Sequence, residues 1–136
     1  MKAVRDGGIV GMGGAAFPAH IKLAPPENKK IDTLIVNGAE CEPYLNCDYR
    51  LMLEDIYNLA YGIDICKKAL GAQRAYVGVE DNKPIAIDFL SRKLGNAAVA
   101  TLQSKYPQGG EKQLIKAILN REVPSGGLPM DVGAVV

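Results

Sequence analysis

Residues 31–43, IDTLIVNGAECEP, change character at a single point, and that point decides the fold. Ile31 to Val36 form a short β-branched run that reads as a buried strand. Asn37-Gly38 then turn the chain into a loop carrying Glu40, Cys41 and Glu42. A strand with so little polar alternation is covered on both faces, as in a parallel sheet. A long helix is expected next, because Met52, Ile56, Leu59, Ile63, Cys66 and Leu70 recur at spacings of four and three, with Gly71 placed for its C-terminal cap. The alternation then repeats. Residues 74–79, RAYVGV, read as a second strand, Pro84 opens a helix running to Gly95, and residues 97–102, AAVATL, read as a third strand. After YPQGG comes a helix with Leu114, Ile115, Ile118 and Leu119 on one side, and VPSGGLPMDVGAVV leads into a fourth strand. Strands alternating with helices predict a three-layer, Rossmann-like α/β domain. Its sheet is mostly parallel, has about four strands and is flanked by helices. Ligands in such sheets bind outside the carboxyl ends of the strands, and NGAECEP and YPQGG both follow strands, so both belong to that edge.

Composition narrows the classes of function. The 136 residues suit one domain, 1–136, with a real core. A net charge of +1 gives no broad basic surface for nucleic acid, and the few aromatics, with no Trp, offer no base-stacking platform. No run approaches the roughly 20 apolar residues of a membrane span, and no apolar h-region follows Lys2 and Arg5. No direct membrane insertion is expected. Three cysteines, Cys41, Cys47 and Cys66, form no framework spacing and no C-x-x-C, which fits a reducing setting without a metal or iron–sulfur site inside the chain. The Gly-rich turn near one end and the apolar GAVV at the other read as the marks of a fragment excised from a longer polypeptide.

Residues 11–18, GMGGAAFP, are the second informative stretch. Gly11, Gly13 and Gly14 allow backbone N–H groups to approach a phosphate or a flat ring closely, and they equally suit a tight turn packed against a helix. The spacing Gly11-x-Gly13-x-x-Ala16 meets the dinucleotide fingerprint on paper, but no strand-first βαβ unit surrounds it. In the acidic loop, Glu40 and Glu42 are candidates for acid–base work or for binding sugar hydroxyls, against the alternative of a solvated turn. Asn37 can offer its amide to a ligand or merely close the turn. In YPQGGEKQL, Gly109 and Gly110 stand at a helix entrance, and Glu111 also suits the helix dipole. His20 has no ligand partners at metal spacing and reads as a helix-face residue. Lys22 reads as a solvated lysine or as a phosphate or flavin partner. Cys41 has only carboxylates beside it in sequence and is no candidate nucleophile.

Together, GIVGMGGAAFPAHIKL, NGAECEPYLNCDYRLMLE, YPQGGEKQLI and REVPSGGLPMDVG resemble RnfC, the C component of the Rnf electron-transport complex, over essentially the whole chain and in the same order. They are more distantly similar to the flavin subunit of respiratory complex I, with its loops GRGGAGFP, NADEGEP and ICGEE. The resemblance implies an FMN-binding domain that accepts hydride from NADH and passes electrons to iron–sulfur clusters in a later, C-terminal part of the same polypeptide. Membrane partner proteins would couple this to ion transport, with RnfC peripheral on the cytoplasmic face of the membrane. By position, Gly11, Gly13 and Gly14 would line the FMN with Lys22 nearby, and Asn37 would contact the flavin. Glu40 and Glu42 would flank the isoalloxazine and nicotinamide as the catalytic pair. Tyr106, Gly109, Gly110 and Glu111 would cover the other side. Ala39 and Gly110 stand where the complex I pattern has acidic residues, Ala16 replaces a glycine, and a further flavin contact of the family lies beyond Val136. Two alternatives share these motifs: a cobalamin reductase flavoprotein, and a non-catalytic scaffold that docks partner subunits.

Overall fold

The structure, a computed structural model, describes residues 1–12 and 15–136. Four parallel strands, β1 (Thr33–Asn37), β2 (Arg74–Glu80), β3 (Ala98–Leu102) and β4 (Ala134–Val135), are ordered β3-β2-β1-β4. The expected α/β architecture is present. Two short helices, α1 (Lys2–Asp6) and α2 (Ala19–Lys22), precede the sheet. Helices α3 (Cys47–Glu54), α4 (Ile56–Leu70) and α5 (Pro84–Lys93) cover one face, and α6 (Glu111–Leu119) covers the other. Alternate residues of β1 serve the two layers: Leu34 packs with Met52, Ile63 and Leu90, and Ile35 packs with Ile115 and Ala134. Leu90, Leu114 and Ile115 are fully buried, and burying such a side chain contributes about 1.5–3 kcal/mol.

The single long helix expected after the acidic loop is two helices. Asp55 leaves the helical region (φ −133°, ψ 44°), and its carboxylate accepts a hydrogen bond from the Asn58 amide at 3.0 Å. The backbone amide of Asp55 still donates to the Leu51 carbonyl and its carbonyl accepts from Leu59 N–H, and the apolar periodicity runs on through the break. The other helices end as the sequence suggests: Gly71 caps α4 in the left-handed region (φ 65°), and Pro84 starts α5.

The amino-terminal edge of the sheet is locked by ions. Both nitrogens of the Arg121 fork donate to Asp32, at 2.9 and 2.8 Å, and Nη1 also donates to the Val132 carbonyl at 2.8 Å. Arg74 approaches the same carboxylate at 3.3 Å. The hydrogen bonds from Arg121 hold the Asp32 carboxyl down at about 2. The network ties the entrances of β1 and β2 to the segment after α6.

Candidate functional site

At the carboxyl edge of the sheet, two loops are stitched together through one glycine. Gly38 N–H donates to the Gly78 carbonyl at 2.9 Å, which extends the β1–β2 pairing into the acidic loop. The exposed Asn37 then bridges outward. Its Nδ2 donates to the Gly109 carbonyl at 2.8 Å, and its Oδ1 accepts from Ala39 N–H at 3.1 Å. Gly109 N–H donates to the Cys41 sulfur at 3.0 Å. Both polar groups of residue 109 are thus held by side chains of the acidic loop. A Cβ at this position would lie 2.7 Å from the Ala39 carbonyl oxygen and 2.8 Å from the Cys41 sulfur, so only glycine fits. Gly110 is the N-cap of α6, and Glu111 occupies its first turn. Tyr106 stands out in solvent, 84% exposed.

The two glutamates of the acidic loop diverge. Glu42 is exposed, whereas the Glu40 side chain is only 3% exposed and turns toward α3. Its Oε1 accepts from Asp48 N–H at 2.9 Å, in the first turn of that helix, where a carboxylate satisfies both an orphan donor and the helix dipole. Its Oε2 is buried, has no hydrogen-bond partner among the described residues and meets Lys83 Nζ at 3.4 Å. Lys83 Nζ also sits 5.0 Å above the Tyr49 ring. Burial, with the nearby Glu40 and Glu42 charges, pushes the Asp48 carboxyl upward. Burial likewise raises Glu80 at the end of β2. Ligand-capable atoms of Glu40, Cys47 and Asp48 come within 4.8 Å of one another. Lys83 on one side and the positive end of α3 on the other make that trio a poor cation site.

A third group lies beside β4. Lys22 Nζ donates to Glu111 Oε1 at 3.0 Å and to the Val136 carbonyl at 2.7 Å, with the Phe17 ring centre 5.9 Å away. These residues rim a pocket of about 300 Å³ whose wall is apolar, from Ile21, Leu128, Met130 and Val135. Gly11 N–H donates to the Phe17 carbonyl at 2.8 Å, drawing the two ends of the Gly-rich stretch together beside this pocket. Gly13 and Gly14 lie outside the described residues. The structure therefore brings Asn37 to Gly109 and Lys22 to Glu111, and it turns Glu40 inward. His20 lies on α2, as the sequence suggests.

The family model described as the Nuo51 FMN-binding domain matches residues 4–136. The chain belongs to that family. It is 56% identical over 135 residues to the C component of the proton-translocating ferredoxin:NAD(+) oxidoreductase complex of Clostridium ljungdahlii, covering 98% of the chain and 30% of the relative. It is 51% identical over 138 residues to the Na(+)-translocating counterpart of Acetobacterium woodii, covering 99% of the chain and 31% of the relative. The resemblance to RnfC is thus borne out, and the chain spans about a third of the length of these relatives. A crystal structure of an NAD+-reducing [NiFe]-hydrogenase in the H2-reduced state superposes with a TM-score of 0.66 at 26% identity, over 85% of this chain and 22% of that one.

Two parts of this Nuo51-family domain escape the sequence reading. Leu128 and Met130 line the pocket from a segment that reads only as a loop before a strand. Lys83 follows β2 at the same carboxyl edge as the two chosen loops, and that position was the available signal.

Proposed function

We propose that this domain binds FMN at the carboxyl edge of its sheet and serves an RnfC-type protein that takes electrons from NADH. The observation that carries this is the apolar pocket beside β4, rimmed by Lys22 and Glu111 and lined by Ala15 and Phe17, which follow the Gly-rich stretch. The residues present fit the cofactor. An apolar wall of this size suits a flat heterocyclic ring, and a lysine amine with a Gly-rich backbone nearby suits its polar edge and phosphate. Membership of a family described by FMN binding, and relatives named as components of ferredoxin:NAD(+) oxidoreductase complexes, support the same reading.

Bound FMN would supply the two-electron acceptor chemistry. The chain's part is to hold and shape. By the resemblance, Gly11, Gly13 and Gly14 would let the backbone approach the cofactor closely, and Lys22 would neutralise negative charge. Asn37 and Gly109 lock the acidic loop to the segment that leads into α6 and Glu111. Glu42 and Glu111 present carboxylates to the open side, where the donor would enter. Glu40, turned inward, sets the shape of the acidic loop. Iron–sulfur clusters lying outside these 136 residues would receive the electrons, and membrane subunits would couple their flow to ion movement. No described helix is long and apolar enough to cross a membrane.

The test is an FMN titration, followed by quenching of flavin fluorescence, on this chain and on a protein of the relatives' full length. Saturable binding that Gly13→Val abolishes supports the assignment. Absence of binding by both proteins overturns it and favours a scaffold role.

A further inference from the structure

Lys83 breaks a local rule. It is the N-cap of α5, and the first turn of that helix carries no acidic residue. A cation at a helix N-terminus opposes the dipole, and residues that favour acceptor side chains normally hold this position. Its backbone is committed to the turn, with Lys83 N–H donating to the Glu80 carbonyl at 3.0 Å and its own carbonyl accepting from Ile87 N–H at 3.1 Å. The side chain is 21% exposed and folds back over Tyr49 of α3 toward Glu40. Such violations cluster at functional positions.

The reason for the violation lies in what surrounds Glu40. Its side chain is nearly sealed from water, and one oxygen has no hydrogen-bond partner among the described residues. Buried carboxylate charge is costly unless paired. Glu80, 5% exposed, adds a second buried carboxyl close by, and Asp48 and Asp81 lie on the flanks. Only Lys83 brings a positive side chain to Glu40 among the ion pairs of the described residues. The Glu40 charge in turn holds Asp48 N–H and so fixes the start of α3, which is the far end of the acidic loop.

We infer that Lys83 is a positioning residue: its ammonium compensates Glu40, Glu40 pins the first turn of α3, and the acidic loop is thereby held in the shape that lets Asn37 and Cys41 clasp Gly109. This rests on the flavin reading for its purpose and on geometry alone for its mechanism. Lys83 touches no part of the pocket beside β4, so it acts through the loop.

The test separates the two. Amide hydrogen exchange is first measured on the flavin-free chain. Lys83→Met is expected to speed exchange of the Asp48 amide about tenfold, while amides of β2 and β3 keep their rates. Lys83→Arg is expected to restore protection, since it keeps the charge. In a Glu40→Gln background, which retains an acceptor and removes the charge, Lys83→Met is expected to change Asp48 exchange less than about twofold. Unchanged Asp48 exchange in Lys83→Met, uniform loosening of the whole sheet, or the same change in both backgrounds would each overturn the inference. FMN titration of the same variants then addresses the flavin reading. A local loosening at Asp48 with no loss of FMN affinity overturns the functional purpose and leaves the positioning mechanism standing.

Discussion

The two edges of the sheet handle carboxylate charge in opposite ways. At the amino-terminal edge, Asp32 receives a two-pronged hydrogen bond from Arg121 and a further approach from Arg74. At the carboxyl edge, Glu40 and Glu80 are more deeply buried, share the lysine Lys83, and leave the Glu40 Oε2 without a hydrogen-bond partner among the described residues. A domain built only for stability would complete the second cluster as it completes the first. Ions that fasten the chain sit at one end, and groups held in less comfortable surroundings sit at the end where α/β sheets bind ligands.

The comparison breaks most sharply at Gly109. Gly109→Val forces its side chain into the Ala39 carbonyl and the Cys41 sulfur and is expected to cost about 3 kcal/mol of stability, read by urea denaturation. Gly110→Ala next door meets mainly the flexible Gln113 side chain and is expected to cost under about 1 kcal/mol. Equal losses would mean that the clasp is not rigid. A smaller effect separates the edges by function. Asn37→Ala removes two hydrogen bonds at the carboxyl edge and is expected to weaken FMN binding about tenfold, for about 1 kcal/mol of stability. Arg121→Met is expected to cost similar stability and leave FMN affinity unchanged. A loss of affinity there would dissolve the division of labour.

The finest discrimination is by acid. The folded Asp32 carboxyl titrates at about 2 instead of 3.8, so the folded chain releases its proton more readily than the unfolded one. The resulting stability is complete above about pH 4 and is lost as pH falls toward 2. With Asp32 about one-third exposed, screening leaves roughly 1 kcal/mol. Glu80 runs the other way. Its raised pKa makes its ionisation a cost to the folded state, and that cost is relieved as pH drops and the group takes up its proton. Unfolding free energy measured from pH 6 to 2 is therefore expected to fall less steeply in Arg121→Met than in the parent chain.

Much of this arrangement was legible in the residues. Parallel strands, their order of appearance and the shared edge of NGAECEP and YPQGG follow from apolar runs and punctuation by Gly and Pro. Asp55 was not legible as a break, because the apolar stripe is continuous through it and only its non-helical backbone angles reveal it. The inward turn of Glu40 was hidden for a similar reason. Two glutamates at alternate positions look equivalent in sequence, and the Asp48 amide, eight residues after Glu40, separates them. Lys83 was missed because a lysine after a strand ordinarily means solvent.

The order β3-β2-β1-β4 leaves β3 at a margin of the sheet, with one row of its backbone groups unpaired among the described residues. Its sequence, AVATL, contains no charge and no proline, the usual guards against unwanted strand addition. This margin is where strand addition by a second copy is expected in concentrated solution. A lysine in place of the exposed Thr101 would protect it without touching either charged edge.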